Sequence, residues 1–238
     1  APAALFATNF VWTGGGANDN WSTAANWDQG LSYPGAVGGR LDTATIGSGM
    51  PRSPTLDVAL SEWLTSLTIN GDTLTLNTNL GIDNLSMTGG AIGAPGPSVI
   101  TVRDVVSVGA LASLDPNITF ILTGAAGGSP HAFSFAAAVQ NLTFNGAGQS
   151  FSGSATSVPG TITVSNSSGV TFTAALSAGT VTLTNTVGTI QFDGDLTVTT
   201  MNTAANGYSV TLNGGGSVAN AVSFLNTGGL TIDPSGFV

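Results

Sequence analysis

Short phrases in which apolar residues alternate with Thr or Ser run through most of the chain, as in Gly160-Thr-Ile-Thr-Val164 and Gly179-Thr-Val-Thr-Leu183. A period of two marks a strand with one face buried, and β-branched residues suit that pleated surface. No window of a dozen residues carries an i, i+3, i+4 apolar stripe, and Gly or Asn punctuates the chain every 5 to 10 residues. The pattern predicts an all-β chain with almost no helix.

The phrases recur at a fixed spacing. Asn145, Asn166, Asn185, Asn206 and Asn226 follow one another at intervals of 21, 19, 21 and 20 residues. Asn166-Ser-Ser-Gly-Val-Thr-Phe172 matches Asn206-Gly-Tyr-Ser-Val-Thr-Leu212 and Asn226-Thr-Gly-Gly-Leu-Thr-Ile232. Strands of about 4 to 6 residues cannot bury their inner face alone, but successive turns of chain stacked on one another can. The expected fold is a single-stranded parallel β-solenoid (β-helix) of about 20 residues per rung. From Leu64 to Asp233 the repeat allows roughly eight rungs, which at ~4.8 Å each make a rod near ~40 Å long. A β-sandwich, whose turns come every 8 to 12 residues, fits a constant 20-residue phrase less well. The recurring Asn suits a left-handed turn, and its amide reaches the equivalent Asn one rung away, so a ladder of these five residues is expected inside the fold. The chain divides into an extended N-terminal strand (1–12), a Trp-rich cap with the first rungs (13–63) and the solenoid repeats (64–238).

Composition narrows the function. Charged residues make up 6% of the chain, against about 25% in an ordinary soluble domain, and Thr, Ser, Asn and Gly must solvate the surface instead. The basic residues are Arg40, Arg52 and Arg103, there is no Lys, and the net charge is −9. Binding to phosphate backbones needs clustered cations, so nucleic acid and anionic membrane surfaces are not expected partners. Absence of Lys and Cys excludes isopeptide, Schiff-base, disulfide and thiolate-metal chemistry. No apolar run is long enough to span a bilayer, so membrane insertion is not expected. The chain opens Ala1-Pro2-Ala3-Ala4 rather than with Met, which fits a mature secreted protein.

Three of the four Trp lie close together, in Trp12-Thr-Gly14, Asn20-Trp21-Ser22 and Asn26-Trp27, and Pro34-Gly35 and Asp42-Thr-Ala-Thr-Ile46-Gly47 follow. Residues 12–47 resemble the segment that opens many bacterial surface β-solenoids, the autotransporter-passenger and related β-strand-repeat proteins. Gly39-Arg40-Leu41-Asp42 departs from the pattern, in which Gly often stands next to Asp. The resemblance implies a right-handed parallel β-helix, secretion, and a role in adhesion or surface structure. Trp12, Trp21 and Trp27 are expected to cap the first rung rather than to stack sugars, because large aromatics shield much apolar area in a short segment.

Parallel β-helices also serve as polysaccharide lyases and hydrolases, which need paired Asp with Arg, Lys or His. Here there is one His, one Glu and no Lys. Asp193-Gly-Asp195 would suit Ca²⁺ or acid–base work but reads as a polar turn. His131, after Pro130 in a Gly-rich loop, reads as a solvated residue. No catalytic residue, metal site or cofactor is expected.

The two ends suggest what the chain does instead. Terminal rungs carry unpaired backbone groups that proteins normally hide, yet no helix or basic residue follows Leu230-Thr-Ile232. Residues 3–12 form an apolar extended segment. Leu5, Phe6 and Phe10 at one end, and Leu230, Ile232 and Phe237 at the other, are the expected contacts between subunits, made by strand addition. Such a contact does not close on itself and yields an open homopolymer. The sequence therefore reads as a secreted, non-catalytic filament subunit. The alternative is an adhesin or passenger fragment with cell-surface or glycan ligands.

Overall fold

The computed structural model describes residues 7–37, 41–125 and 130–233. Parallel strands stack as a β-solenoid of about 9 turns, with rungs about 20 residues apart. Helix is confined, among the described residues, to the single 3-10 turn Ala24–Asn26.

One ladder runs from end to end. It starts at Asn9–Val11 and Thr43–Ile46, passes through Leu64–Ile69, Leu80–Met87, Ser98–Val108 and Ile118–Leu122, and continues through Asn141–Asn145, Ser157–Ser165 and Leu176–Leu183. It ends at Leu196–Thr203 and Gly216–Val218. A second ladder branches from the end of Ser98–Val108 at His131–Phe135. It proceeds by Ser150–Ala155, Gly169–Phe172, Thr189–Phe192 and Ser209–Leu212 to Leu230–Ile232. Toward the N-terminus the same face continues through Val106, Leu85, Leu67 and Ala44 to Phe10, and a small separate sheet of Thr55–Leu56, Thr73–Leu76, Ala91–Gly93 and Ser113–Leu114 forms another side of the early rungs.

The alternation seen in the sequence produces this architecture directly. In Ser209–Leu212 the residues Val210 and Leu212 are buried while Ser209 and Thr211 face outward. The same parity holds one rung earlier, where Val210 pairs with Ile190 and Leu212 with Phe192. Equivalent side chains therefore stack in columns along the axis. Phe172 and Phe192 lie parallel at 5.0 Å between ring centroids, and Phe144 meets Phe172 edge-on at 5.7 Å. Each such pair adds roughly 0.5–1.5 kcal/mol to the area it buries.

Close stacking restricts what fits between rungs. A side chain at Gly153 would overlap the carbonyl of Phe133, and one at Gly179 the carbonyl of Pro159. Gly81 leaves the space that Trp63 occupies, and the Arg103 guanidinium lies 4.4 Å above the Trp63 ring.

The coil begins earlier than Leu64. Asn9–Val11 pairs in register with Thr43–Thr45 of the same chain, and Thr43–Ile46 with Ser66–Ile69. The segment between Val11 and Thr43 is longer than one repeat, which hid these two rungs from a search for a 20-residue period.

Candidate functional site

With interior positions filled by side chains, the places where the molecule can meet a partner are its ends and its outer faces. The N-terminal end is sealed. Val11 N–H donates to the Asp28 carboxylate at 2.9 Å, Asp28 N–H donates to the Val11 carbonyl at 3.0 Å, and the Gln29 amide reaches the Asn9 carbonyl at 3.3 Å. These bonds occupy the outer edge of the first strand. Above the rung sit Trp12, Trp21 and Trp27, all buried. Trp27 meets Trp12 and Trp21 edge-on at 5.1 and 4.6 Å. Each indole N–H has a carbonyl partner: Arg52 for Trp12, Pro34 for Trp21, and Trp21 for Trp27.

Phe10 belongs to this sealed end. Its side chain is only 2% exposed and packs against Trp27 at 6.0 Å. The expectation that Phe10 makes a contact between subunits is therefore corrected: its strand pairs with the chain's own next rung, and parity turns its ring into the core. Residues 7–12 are the first rung and not a free arm. Leu5, Phe6 and Phe237 lie outside the described residues.

The C-terminal end is built differently. Gly216–Val218 and Leu230–Ile232 each have one neighbouring strand. Leu230 and Ile232 are 40% and 46% exposed. Ile232 continues the interior column Phe172, Phe192, Leu212, so it presents the cross-section of the core to solvent. Beside it, Leu212, Val218, Val222, Phe224 and Ile232 line a largely apolar hollow of about 200 Å³. No charged residue occurs from Leu196 to Ile232, a stretch flanked by Asp195 and Asp233.

The asparagine ladder is present in part and in a different place. Asn166 Nδ2 donates to Asn145 Oδ1 at 3.0 Å, and Asn185 Nδ2 to Asn166 Oδ1 at 2.6 Å. All three side chains are exposed at a corner rather than inside the fold. Asn206 and Asn226 leave the ladder, their amides donating to the carbonyls of Thr184 and Tyr208. The inner corner is filled by Ser167 and Thr186, whose buried hydroxyls meet at 2.7 Å, and then by Tyr208. The bulk of Tyr208, with its hydroxyl accepting from Ala204 N–H and donating to the Leu183 carbonyl, reshapes the turn at Asn206.

His131 is not solvated. It is 2% exposed, with Nδ1 at 3.3 Å from Asp104 Oδ1 and Nε2 at 3.0 Å from Gln149 Oε1. Those partners lie one rung to either side, where local sequence gives no hint of them. Parity did give one, because His131 shares the inward phase of Phe133 and Phe135. With a carboxylate at one nitrogen and an amide at the other, the imidazole has no lone pair aimed at a hydroxyl, so the group braces adjacent rungs. Asp193 and Asp195 also tie rungs together. Asp193 Oδ1 accepts from the amides of Gln191 and Asn213, and Asp195 Oδ1 accepts from Gly215 N–H. Among the described residues no three His, Asp or Glu gather where a metal ion would bind.

Among the described residues, the part-exposed apolar edge at Leu230–Ile232 and the hollow beside it are the feature that most resembles a binding site. No family model, curated protein or solved structure matches the sequence or the fold closely enough to name a relative. The likeness to surface β-solenoids rests on the motif in residues 12–47 and the repetitive style of the remaining chain.

Proposed function

We propose that the protein is a non-catalytic structural rod of the cell exterior that assembles non-covalently by adding a strand at its C-terminal edge. The observation that carries this reading is the contrast between the two ends. One is closed by Asp28, Gln29 and three Trp; at the other, among the described residues, Ile232 is 46% exposed beside an apolar hollow. An edge strand with free backbone groups and apolar neighbours is a template for a further strand.

The strand it takes, in this reading, comes from residues 1–6 of a second copy, which carry Leu5 and Phe6. The donated segment stops short of Thr8, because the Thr8 carbonyl accepts from Thr43 N–H and Phe10 is locked in the core. Donation of one end to the opposite end of the next copy is a heterologous contact and builds an open filament.

Negative-stain microscopy tests this. The full chain should form fibres, and deletion of residues 1–6 should leave isolated rods with unchanged β-sheet circular dichroism. Fibres from the truncated protein would rule out strand donation, and monodisperse rods from the full chain would rule out assembly.

A further inference from the structure

The Gly-Thr-x-Thr phrase that marks the repeat has a consequence on the outer surface that does not depend on how the ends behave. Thr161 and Thr163 pair in register with Thr180 and Thr182, which pair in turn with Thr200 and Asn202. One rung earlier, Thr163 stands beside Thr143. The residues between them, Ile162, Val181 and Met201, are buried, so parity turns the Thr side chains outward together. Six Thr occupy two adjacent columns over four rungs.

The geometry of this face is set by the backbone. Rungs are about 4.8 Å apart and alternate residues along a strand about 6.6 Å apart, which makes the array a nearly rectangular grid. The only shift in these pairings falls before the array, between Val158 and Thr161. Gly160 and Gly179 fix that corner, because a side chain at either would strike the carbonyl of Gln140 or Pro159. Branching at Cβ restricts Thr to few rotamers, so each Thr offers one methyl and one hydroxyl within a narrow range of orientations.

Chemistry then limits what the grid would bind. Thr184 and Thr173, near the corners, spend their hydroxyls on the carbonyls of Val164 and Gly153. Within the grid, Thr182 and Thr200 accept from the amides of Asn202 and Asn220 at 3.5 and 2.9 Å, whereas among the described residues the hydroxyls of Thr161, Thr163 and Thr180 have no hydrogen-bond partner in the chain. The two columns contain no charge for an anionic or cationic ligand and no aromatic ring on which a sugar would stack. They also lack the Trp, Tyr or Arg anchors that dominate protein interfaces. What matches the face is a ligand with its own two-dimensional repeat. Hexagonal ice has an oxygen repeat close to the rung spacing on its prism faces. We infer that this threonine face binds ice, its rigid hydroxyl and methyl rows ordering water that continues into the lattice. The stiff side chains lose little freedom on binding, which favours a weakly interacting but extended contact.

Slow growth of ice from a dilute solution of the full chain measures the partition. The protein should be enriched several-fold in the ice over a soluble reference protein, and microscopy of single crystals should show a gap between melting and growth temperatures. The pair Thr163→Lys and Thr182→Lys places bulk and charge in the grid and should abolish both effects. Thr171→Lys with Thr211→Lys, on the neighbouring face, should leave them intact, with circular dichroism confirming both folds. If the first double variant does not fold, Thr163→Lys alone serves in its place. Exclusion of the unaltered protein from ice overturns the inference, as does equal loss in both double variants. So does adsorption to crystalline cellulose or chitin without any enrichment in ice.

Discussion

Asn166 occupies a left-handed backbone position, at φ 48°, and holds the amide of one neighbour while donating to the other. Two requirements meet at one residue: a conformation costing most L-residues about 1–2 kcal/mol, and hydrogen bonds worth roughly 0.5–1.5 kcal/mol each. Because these bonds are exposed, the backbone requirement dominates. Asn166→Gly should therefore lower stability only slightly, and Asn166→Val by about 1–2 kcal/mol more, as read from urea midpoints. Tyr208 makes a second residue-scale case. Burial pushes its phenol above the ordinary value, outweighing the hydrogen bonds from Ala204 and Thr203 that lower it. The unfolded chain then ionises at a lower pH than the folded one. The stabilisation is complete below about pH 10 and is lost as pH rises through the higher folded value. Melting temperature should drop above pH 10 in the native protein and drop less in Tyr208→Phe.

At the scale of strands, the fold depends on contact between consecutive rungs, and glycines mark where that contact is backbone against backbone. Gly153→Ala would set a methyl group against the Phe133 carbonyl. Overpacking of this kind costs about 1–3 kcal/mol, and thermal denaturation should show it as an earlier melt with β-sheet content retained below the transition. The strands themselves were legible in the sequence, since the alternation of Thr with Ile, Val or Phe became the burial pattern of Thr189–Phe192 and Ser209–Leu212. What escaped were pairings that join one rung to the next through unlike residues. His131 finds Asp104 and Gln149 at separations of 27 and 18 residues: the first reflects a longer turn before His131, and the second lies two residues off the register partner Phe151. The Asn column failed for a related reason: its backbone phrase persists to Asn226, but a bulky Tyr208 redirects the amides beyond Asn185.

For the whole molecule, period alone was enough to identify a coil, because only stacked turns bury the inner face of so short a strand. Period could not locate the start of the coil, where a long insertion carrying the Trp cluster separates Val11 from Thr43. It also could not distinguish a free arm from a first rung, since Phe10 has the same apolar alternation in either role. The contrast between the ends gives the rod a direction. Each coil is held by the coils beside it, and one end is latched by Asp28, Gln29 and the indoles while, among the described residues, Leu230–Ile232 pairs with a single strand. Unravelling therefore has a preferred origin: it begins at Leu230–Ile232 and travels toward the tryptophans, as a knitted sleeve runs from its loose hem and stops at its bound cuff.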